Sequence, residues 1–515
     1  MMANETKPLE YYTGDTKFFG HPRGLSTLFF TEMWERFSFY GLRPLLVLFM
    51  SAALMDGGFG FERTQASAIV GIYAASVYLF SLPGGWIADR WLGLRRAVFY
   101  GAILIALGHL CIGIASFAHA RLPFFLGLIL IVLGTGLLKP NISATVGELY
   151  TDRGARRDAG FSIFYMGINT GAFVGQLVTG TLGEKIGWHW GFGAAGVGML
   201  IGVLYFRFRS PMTLGPIGLE PARDPDPSRQ ASQERTVKVV IGAFLAVLLS
   251  MIVMAATGMV TLDPRSIGEK MTVVLVGVGV LYFAWIFIAG GLTRDEMKRM
   301  GVIVLLFIFS AIFWGAFEQA PTSLNLFAND FTDRTIADFE MPATWFQSIN
   351  SLFIILLAPV FAILWVWLAR RGMDFSSPTK FALGLGFTAF GFLLMLWAAN
   401  AVVASGGALK VSPWWLVGSY FFQSVGELCI SPVGLSSMTK LAPRKFVGQM
   451  MGVWFLATSV GNLVAGLIGG HVDPSKLEET PMVFGGTTIA LVGATVVLAL
   501  LIVPSRRLMG EDKTA

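Results

Sequence analysis

Glu32, Glu35, Arg36 and Arg43 stand within the run Phe29-Phe30-Thr31-Glu32-Met33-Trp34-Glu35-Arg36-Phe37-Ser38-Phe39-Tyr40-Gly41-Leu42-Arg43-Pro44, whose other residues are mostly apolar. At about 100° per residue, the step from Glu32 to Arg43 returns to within roughly 20° of the same helix face. Glu35, Arg36, Phe39 and Tyr40 fall between them, so the charges form one stripe. Lys139, Glu318 and Glu427 each stand as single charges in other apolar runs. Ionisable groups at membrane depth are costly and characteristically line a polar cavity or pathway. A buried carboxylate beside a guanidinium can take up and release a proton as its surroundings open and close.

The elements that hold these charges follow from composition. The chain has 515 residues, 54% hydrophobic and 14% charged, with mean hydropathy +0.66. A soluble domain is about a quarter charged, so this is a polytopic membrane protein. Its 61 glycines and 43 phenylalanines suit close helix approach and lipid- or cavity-facing rings. Cys111 and Cys429 lie in apolar runs without metal-ligand spacing, and no disulfide framework or metal site is expected. Residues 1–23 lack an apolar signal-peptide core, so the first span is expected to be the targeting signal.

Apolar runs long enough to cross a bilayer occur at 24–50, 64–88, 97–117, 122–147, 159–182, 188–206, 239–261, 271–291, 301–328, 343–369, 379–401, 412–437, 446–470 and 482–504. Fourteen spans put both termini on one side. Of the 38 lysines and arginines, 27 then lie on that side, 8 on the other, and Arg36, Arg43 and Lys139 within spans. The excess marks the cytoplasmic side. The net charge of +6 is thus a topology signal and not a nucleic-acid surface. The expected organisation is a cytoplasmic N-terminus (1–23), a six-helix bundle (24–206), a cytoplasmic linker (207–238), an accessory hairpin (239–291), a second six-helix bundle (301–504) and a cytoplasmic tail (505–515). The linker, with Pro211, Pro216, Pro221, Pro225 and Pro227, reads as too proline-rich for a helix. The hairpin spans have no charge in their interiors and read as lipid-facing. Lys139-Pro140-Asn141-Ile142-Ser143 aligns with Glu427-Leu428-Cys429-Ile430-Ser431, and Phe164-Tyr165 with Gly171 parallels Trp454-Phe455 with Gly461, which favours a duplicated six-helix unit.

Helical rise assigns depths. Arg43 lies about 28 Å along its span from the cytoplasmic end and Glu318 about 26 Å along its own, whereas Lys139 lies about 10–12 Å, Glu427 roughly 15 Å, and Glu32 and Glu35 about 12–17 Å above that end. Two opposed pairs result, Arg43 with Glu318 outside and Lys139 with Glu427 inside, suited to gate a central cavity. Static ion pairs would also satisfy the cost of burial; seven charges spread over four non-adjacent spans at two depths favour machinery.

Glu32-x-x-Glu35-Arg36-Phe37-x-Phe39-Tyr40-Gly41 resembles the first-span motif of the proton-dependent oligopeptide transporter family of the major facilitator superfamily. Gly134-Thr135-Gly136-Leu137-Leu138-Lys139-Pro140-Asn141 and Phe164-Tyr165-Met166-Gly167-Ile168-Asn169-Thr170-Gly171 resemble its fourth- and fifth-span signatures. Gly85-Trp86-Ile87-Ala88-Asp89-Arg90 with Gly93, Arg95 and Arg96 resembles the superfamily's loop between spans two and three. Trp345-Phe346-Gln347-Ser348-Ile349-Asn350 and Gly426-Glu427 through Ser431-Pro432-Val433-Gly434 extend the likeness through the second half. The resemblance implies an all-α major facilitator fold and, with the hairpin, fourteen transmembrane helices, as in prokaryotic members. It implies uptake of di- and tripeptides driven by protons, with no other cofactor, by a monomer in the bacterial inner membrane.

Carried over by position, Glu32, Glu35 and Glu318 would handle protons. Arg36 and Lys139 would meet the peptide carboxylate, Glu427 its ammonium, and Asn169 and Asn350 its amino end. Tyr40, Tyr78, Trp314 and Trp454 would wall the side-chain pockets. Phe39 stands where the family often has Tyr, which removes one substrate hydrogen bond and favours more apolar peptides. The bare chemistry agrees: a zwitterion needs a cation and an anion across a cavity. A symporter for nitrate or a peptide-like drug is the second reading, against which Glu427 counts, since an anion needs no carboxylate. A membrane enzyme lacks any catalytic motif here, and a passive channel needs no opposed gates. His109 and Cys111 read as packing residues, and Pro44, Pro83, Pro140 and Pro432 as kink positions.

Overall fold

The computed structural model describes residues 8–151, 154–222, 226–373 and 375–510. The outermost residues of both expected termini, and Arg153 and Arg223 of the cytoplasmic cation count, lie outside them. The described chain is a series of helices: α1 (Leu9–Thr13), α2 (Arg23–Ser51), α3 (Arg63–Ile87), α4 (Leu94–Ala118), α5 (Arg121–Glu148), α6 (Ala155–Lys185), α7 (Trp188–Thr213), α8 (Pro227–Ala256), α9 (Pro264–Ala289) and α10 (Arg294–Phe317). There follow α11 (Asn325–Phe331), a two-residue hairpin of β1 (Thr335–Ile336) and β2 (Phe339–Glu340), α12 (Trp345–Arg370), α13 (Ser377–Ala404), α14 (Trp414–Leu441), α15 (Val447–Gly469) and α16 (Glu479–Met509).

Among the described residues, twelve helices are long and apolar enough to cross a membrane. The runs 24–50 and 412–437, also expected as spans, form α2 and α14, of 29 and 28 residues. At 1.5 Å per residue both exceed the roughly 30 Å of a hydrocarbon core. Neither is among the twelve. Pro44, Pro83, Pro140 and Pro432 lie inside continuous helices.

One expectation is corrected. The linker 207–238 is mostly helical: α7 runs through Pro211 to Thr213, and Pro227 opens α8. Proline at the first helical position loses no hydrogen bond, and Asp226 caps the end by accepting from the Ser228 amide at 2.9 Å. The run 301–328 lies within one candidate span, Arg294–Phe331, that is irregular inside. It breaks after Phe317 into a wide π turn, Ala320–Leu324, beginning just before Pro321, and resumes as α11. Proline cannot donate the backbone bond that an unbroken helix needs there.

The helices form two compact units: Met1–Leu45 with Leu79–Asp263, and Leu46–Tyr78 with Pro264–Ala515. In the first, α2 is seated on α6 through glycine. A Cβ on Gly171 would lie 2.1 Å from the Met33 carbonyl oxygen and one on Gly175 2.4 Å from that of Phe37. The Thr179 hydroxyl donates to the Gly41 carbonyl at 2.9 Å. The stretch 15–23 is fastened to this unit. Asp15 pairs with Arg23, Arg156 donates to the Asp15 carbonyl at 2.9 Å, and His21 Nδ1 lies 2.9 Å from the Tyr150 hydroxyl.

In the second unit, α3 lies against α15 where Gly71 meets Gly466. A Cβ on Gly71 would come within 2.8 Å of both the Asn462 carbonyl oxygen and the Gly466 Cα, and the Ser459 hydroxyl donates to the Ala75 carbonyl at 3.0 Å. The accessory hairpin divides at its turn. Helix α8 belongs to the first unit, where Phe244 meets Phe80 and Lys238 lies over the Trp91 ring. Helix α9 belongs to the second, where Lys445 donates to its terminal Gly291 carbonyl at 2.8 Å and Tyr282 donates to Gln449. The most apolar stretch of α8 has no buried residue, in keeping with a lipid-facing surface.

Candidate functional site

The stripe on α2 is a buried ion cluster. Arg36 Nε lies 2.7 Å from a carboxylate oxygen of Glu32 and 2.7 Å from one of Glu35, with all three side chains no more than 3% exposed. Only the contact to Glu32 has hydrogen-bond geometry. Arg36 Nη2 and the second Glu32 oxygen have no hydrogen-bond partner among the described residues, while Thr135 on α5 stands beside Glu35 as a side-chain partner. A buried polar atom without a partner costs about 1–3 kcal/mol, more when charged. The cluster therefore has spare capacity for a proton on a carboxylate or an anion on the guanidinium. Two carboxylates sharing one cation cannot both be fully compensated. Lys139 on α5 lies within electrostatic reach of Glu35, so the first unit gathers two carboxylates and two cations.

Other side chains of that unit stand nearby. Asn169 is buried and donates to the Tyr165 carbonyl at 3.1 Å, one helical turn back. Tyr40 is part-exposed. Phe39 is 1% exposed, and its ring lies between the charged residues. Sequence reasoning gave no role to Asn141, whose amide donates to the Leu137 carbonyl at 2.6 Å and to the Gly84 carbonyl at 3.2 Å. That bond ties α5 to α3 two residues from Lys139.

In the second unit, the Asn350 amide on α12 donates to the Ser424 hydroxyl at 2.9 Å and to a Glu427 oxygen at 3.4 Å. Glu427 on α14 is half-buried. Glu318 is 6% exposed at the end of α10 and within electrostatic reach of Glu427. Trp314 and Trp454 meet edge to face with centroids 6.3 Å apart, and Tyr78 lies 6.3 Å from Phe455. The aromatic residues expected to wall pockets therefore include one pair packed on each other. Missed by sequence reasoning is the polar tie that fixes the π turn after Glu318. Gln319 donates to the Thr487 hydroxyl at 3.0 Å and accepts from Ser323 at 3.0 Å. The signal was Gln319-Ala320-Pro321 itself. At the start of α3, Arg63 pairs with Asp330, donates to the Val472 carbonyl at 3.0 Å and lies 4.0 Å from Asp473. Among the described residues no cluster of side chains suits a metal ion.

Comparison with known proteins bears on this arrangement. A family model described as the POT family matches residues 95–483. The peptide transporter YePEPT of Yersinia enterocolitica subsp. palearctica is 51% identical over 97% of this chain and 98% of its own. A di-/tripeptide transporter of Lactococcus lactis subsp. cremoris is 36% identical over 96% and 98%. A crystal structure of a peptide transporter POT in complex with sulfate superposes with a TM-score of 0.87 at 40% identity, covering 98% of this chain and 99% of that one.

Proposed function

The chain belongs to the POT family of peptide transporters, and on that premise we propose that it is a proton-coupled symporter importing di- and tripeptides by alternating access. It is a transporter and not an enzyme. The proposed setting is the bacterial inner membrane, with fourteen spans counting α2, α14 and the hairpin, both termini cytoplasmic, and a monomer as the working unit. Protons are the coupling ion, and no other cofactor takes part.

The observation that carries the reading is the Glu32–Arg36–Glu35 cluster, one guanidinium nitrogen held by two buried carboxylates. A proton entering at either glutamate removes one of the two anions from Arg36. The guanidinium then gains a net capacity for another anion, and a peptide carboxylate supplies it with Lys139 alongside. The peptide ammonium is assigned to Glu427, which Asn350 orients. Asn169 and the rings of Tyr40, Tyr78, Trp314 and Trp454 are assigned to the amino end and side chains. Uptake of proton and peptide is thereby linked through one residue. Alternating access adds gates, which we assign to Arg43 with Glu318 and Lys139 with Glu427. The fastening of Arg63 to Asp330 and the Val472 carbonyl, and of Gly71 to Gly466, seats α3 within the second unit.

Counterflow tests the substrate class. Proteoliposomes preloaded with unlabelled dialanine should take up labelled dialanine, compete with trialanine, and ignore free alanine and nitrate. Competition by nitrate with none by peptides would favour the anion reading. A wedge tests the glycine contact. Gly71→Leu should reduce dialanine uptake by tenfold or more, because overpacking of this kind costs about 1–3 kcal/mol and unseats α3 from α15. Binding of dialanine to the solubilised variant should persist.

A further inference from the structure

We propose that Phe39 is a positioning residue, whose buried ring holds Arg36 and Arg43 in register along α2 and passes the state of the glutamate cluster to Arg43. The guanidinium carbons of Arg36 and Arg43 each lie over the Phe39 ring, both 5.6 Å from its centroid. Three residues before and four after are neighbours on one helix face, so the spacing puts Phe39 on the face that carries both cations. The ring is 1% exposed and stands edge to face against Tyr40, with centroids 5.2 Å apart. Cation–π attraction acts within about 6 Å and strengthens as water is excluded. An aliphatic side chain would fill the same space without attracting either cation.

Two like-charged groups drawing on one ring compete for it. Arg36 is also held by Glu32 and Glu35, each at 2.7 Å, and Lys139 from α5 acts on Glu35. Protonation of a glutamate releases part of that hold, and Arg36 then leans more on the ring. Arg43 correspondingly loses part of the ring's attraction. The ring is thus the shared contact between the proton-handling cluster and the next cation along α2. This gives Phe39 work that does not require it to touch peptide.

The proposal rests on the transport reading above. Its test is gradient-driven uptake and counterflow of labelled dialanine by the full chain in proteoliposomes, with Phe39 replaced by mono-, di- and trifluorophenylalanine. Fluorine withdraws charge from the ring face with little change of shape. Gradient-driven uptake should fall stepwise with fluorine number, reaching a loss on the order of tenfold for the trifluoro ring, while counterflow falls less. Phe39→Tyr, which retains a π face, should keep more gradient-driven uptake than Phe39→Leu. A flat response across the fluorinated series, with the unsubstituted protein active, would overturn the proposal, as would equal loss of uptake and counterflow. Absence of uptake by the unsubstituted protein would instead overturn the transport reading.

Discussion

Glu35→Gln and Glu32→Gln should each cut gradient-driven uptake of dialanine by more than tenfold while sparing counterflow to a larger degree. Each substitution removes a buried group that can carry a proton but leaves an oxygen able to face Arg36. A hydrogen bond to a charged group is worth about 1.5–3 kcal/mol, so changing one of the two anions on Arg36 shifts its balance by roughly one to two orders of magnitude. Exchange of peptide for peptide needs no net proton movement, and it should survive best. Glu35 is the more informative position, because its fully buried side chain is within reach of both Arg36 and Lys139. Equal loss of uptake and counterflow would mean that these residues bind or fold and do not couple.

Arg36→Ala should be more damaging still. It leaves two buried carboxylates without the cation that both touch at 2.7 Å. Removing one partner of a buried ion pair typically costs about 3–5 kcal/mol, a large share of the stability of one domain. The expected result is loss of uptake together with reduced yield or a lowered melting temperature. Adding Glu35→Gln to Arg36→Ala should restore part of the stability and none of the uptake, since the orphaned charge is then removed but the peptide's cation is still missing. Stability unaffected by Arg36→Ala would contradict a tightly paired cluster.

How far the residues themselves announced this arrangement varies with the kind of signal. The cluster on α2 was legible because helical spacing alone puts Glu32, Glu35, Arg36 and Phe39 on one face, and because charge in an apolar run is conspicuous. The Asn350–Glu427 contact was legible only through family motifs, since its two residues come from separate helices and no spacing rule joins them. Periodicity could not show the break after Phe317, because the apolar character continues through the π turn into α11. The proline count misled in the linker, where Pro211 lies inside α7 and Pro227 starts α8. In isolation a proline marks a boundary equally well as an end or a beginning. Phe39 was read as a substrate-site residue that lacks the hydroxyl of the Tyr often found there. Its placement against two guanidiniums depends on rotamers that sequence does not specify.

The most direct measurement is accumulation of labelled dialanine in proteoliposomes under an imposed proton gradient, acid outside. The account predicts accumulation above the external concentration, collapse on adding a protonophore, and none when the gradient is absent. Failure to accumulate any di- or tripeptide with either side made acid would contradict it.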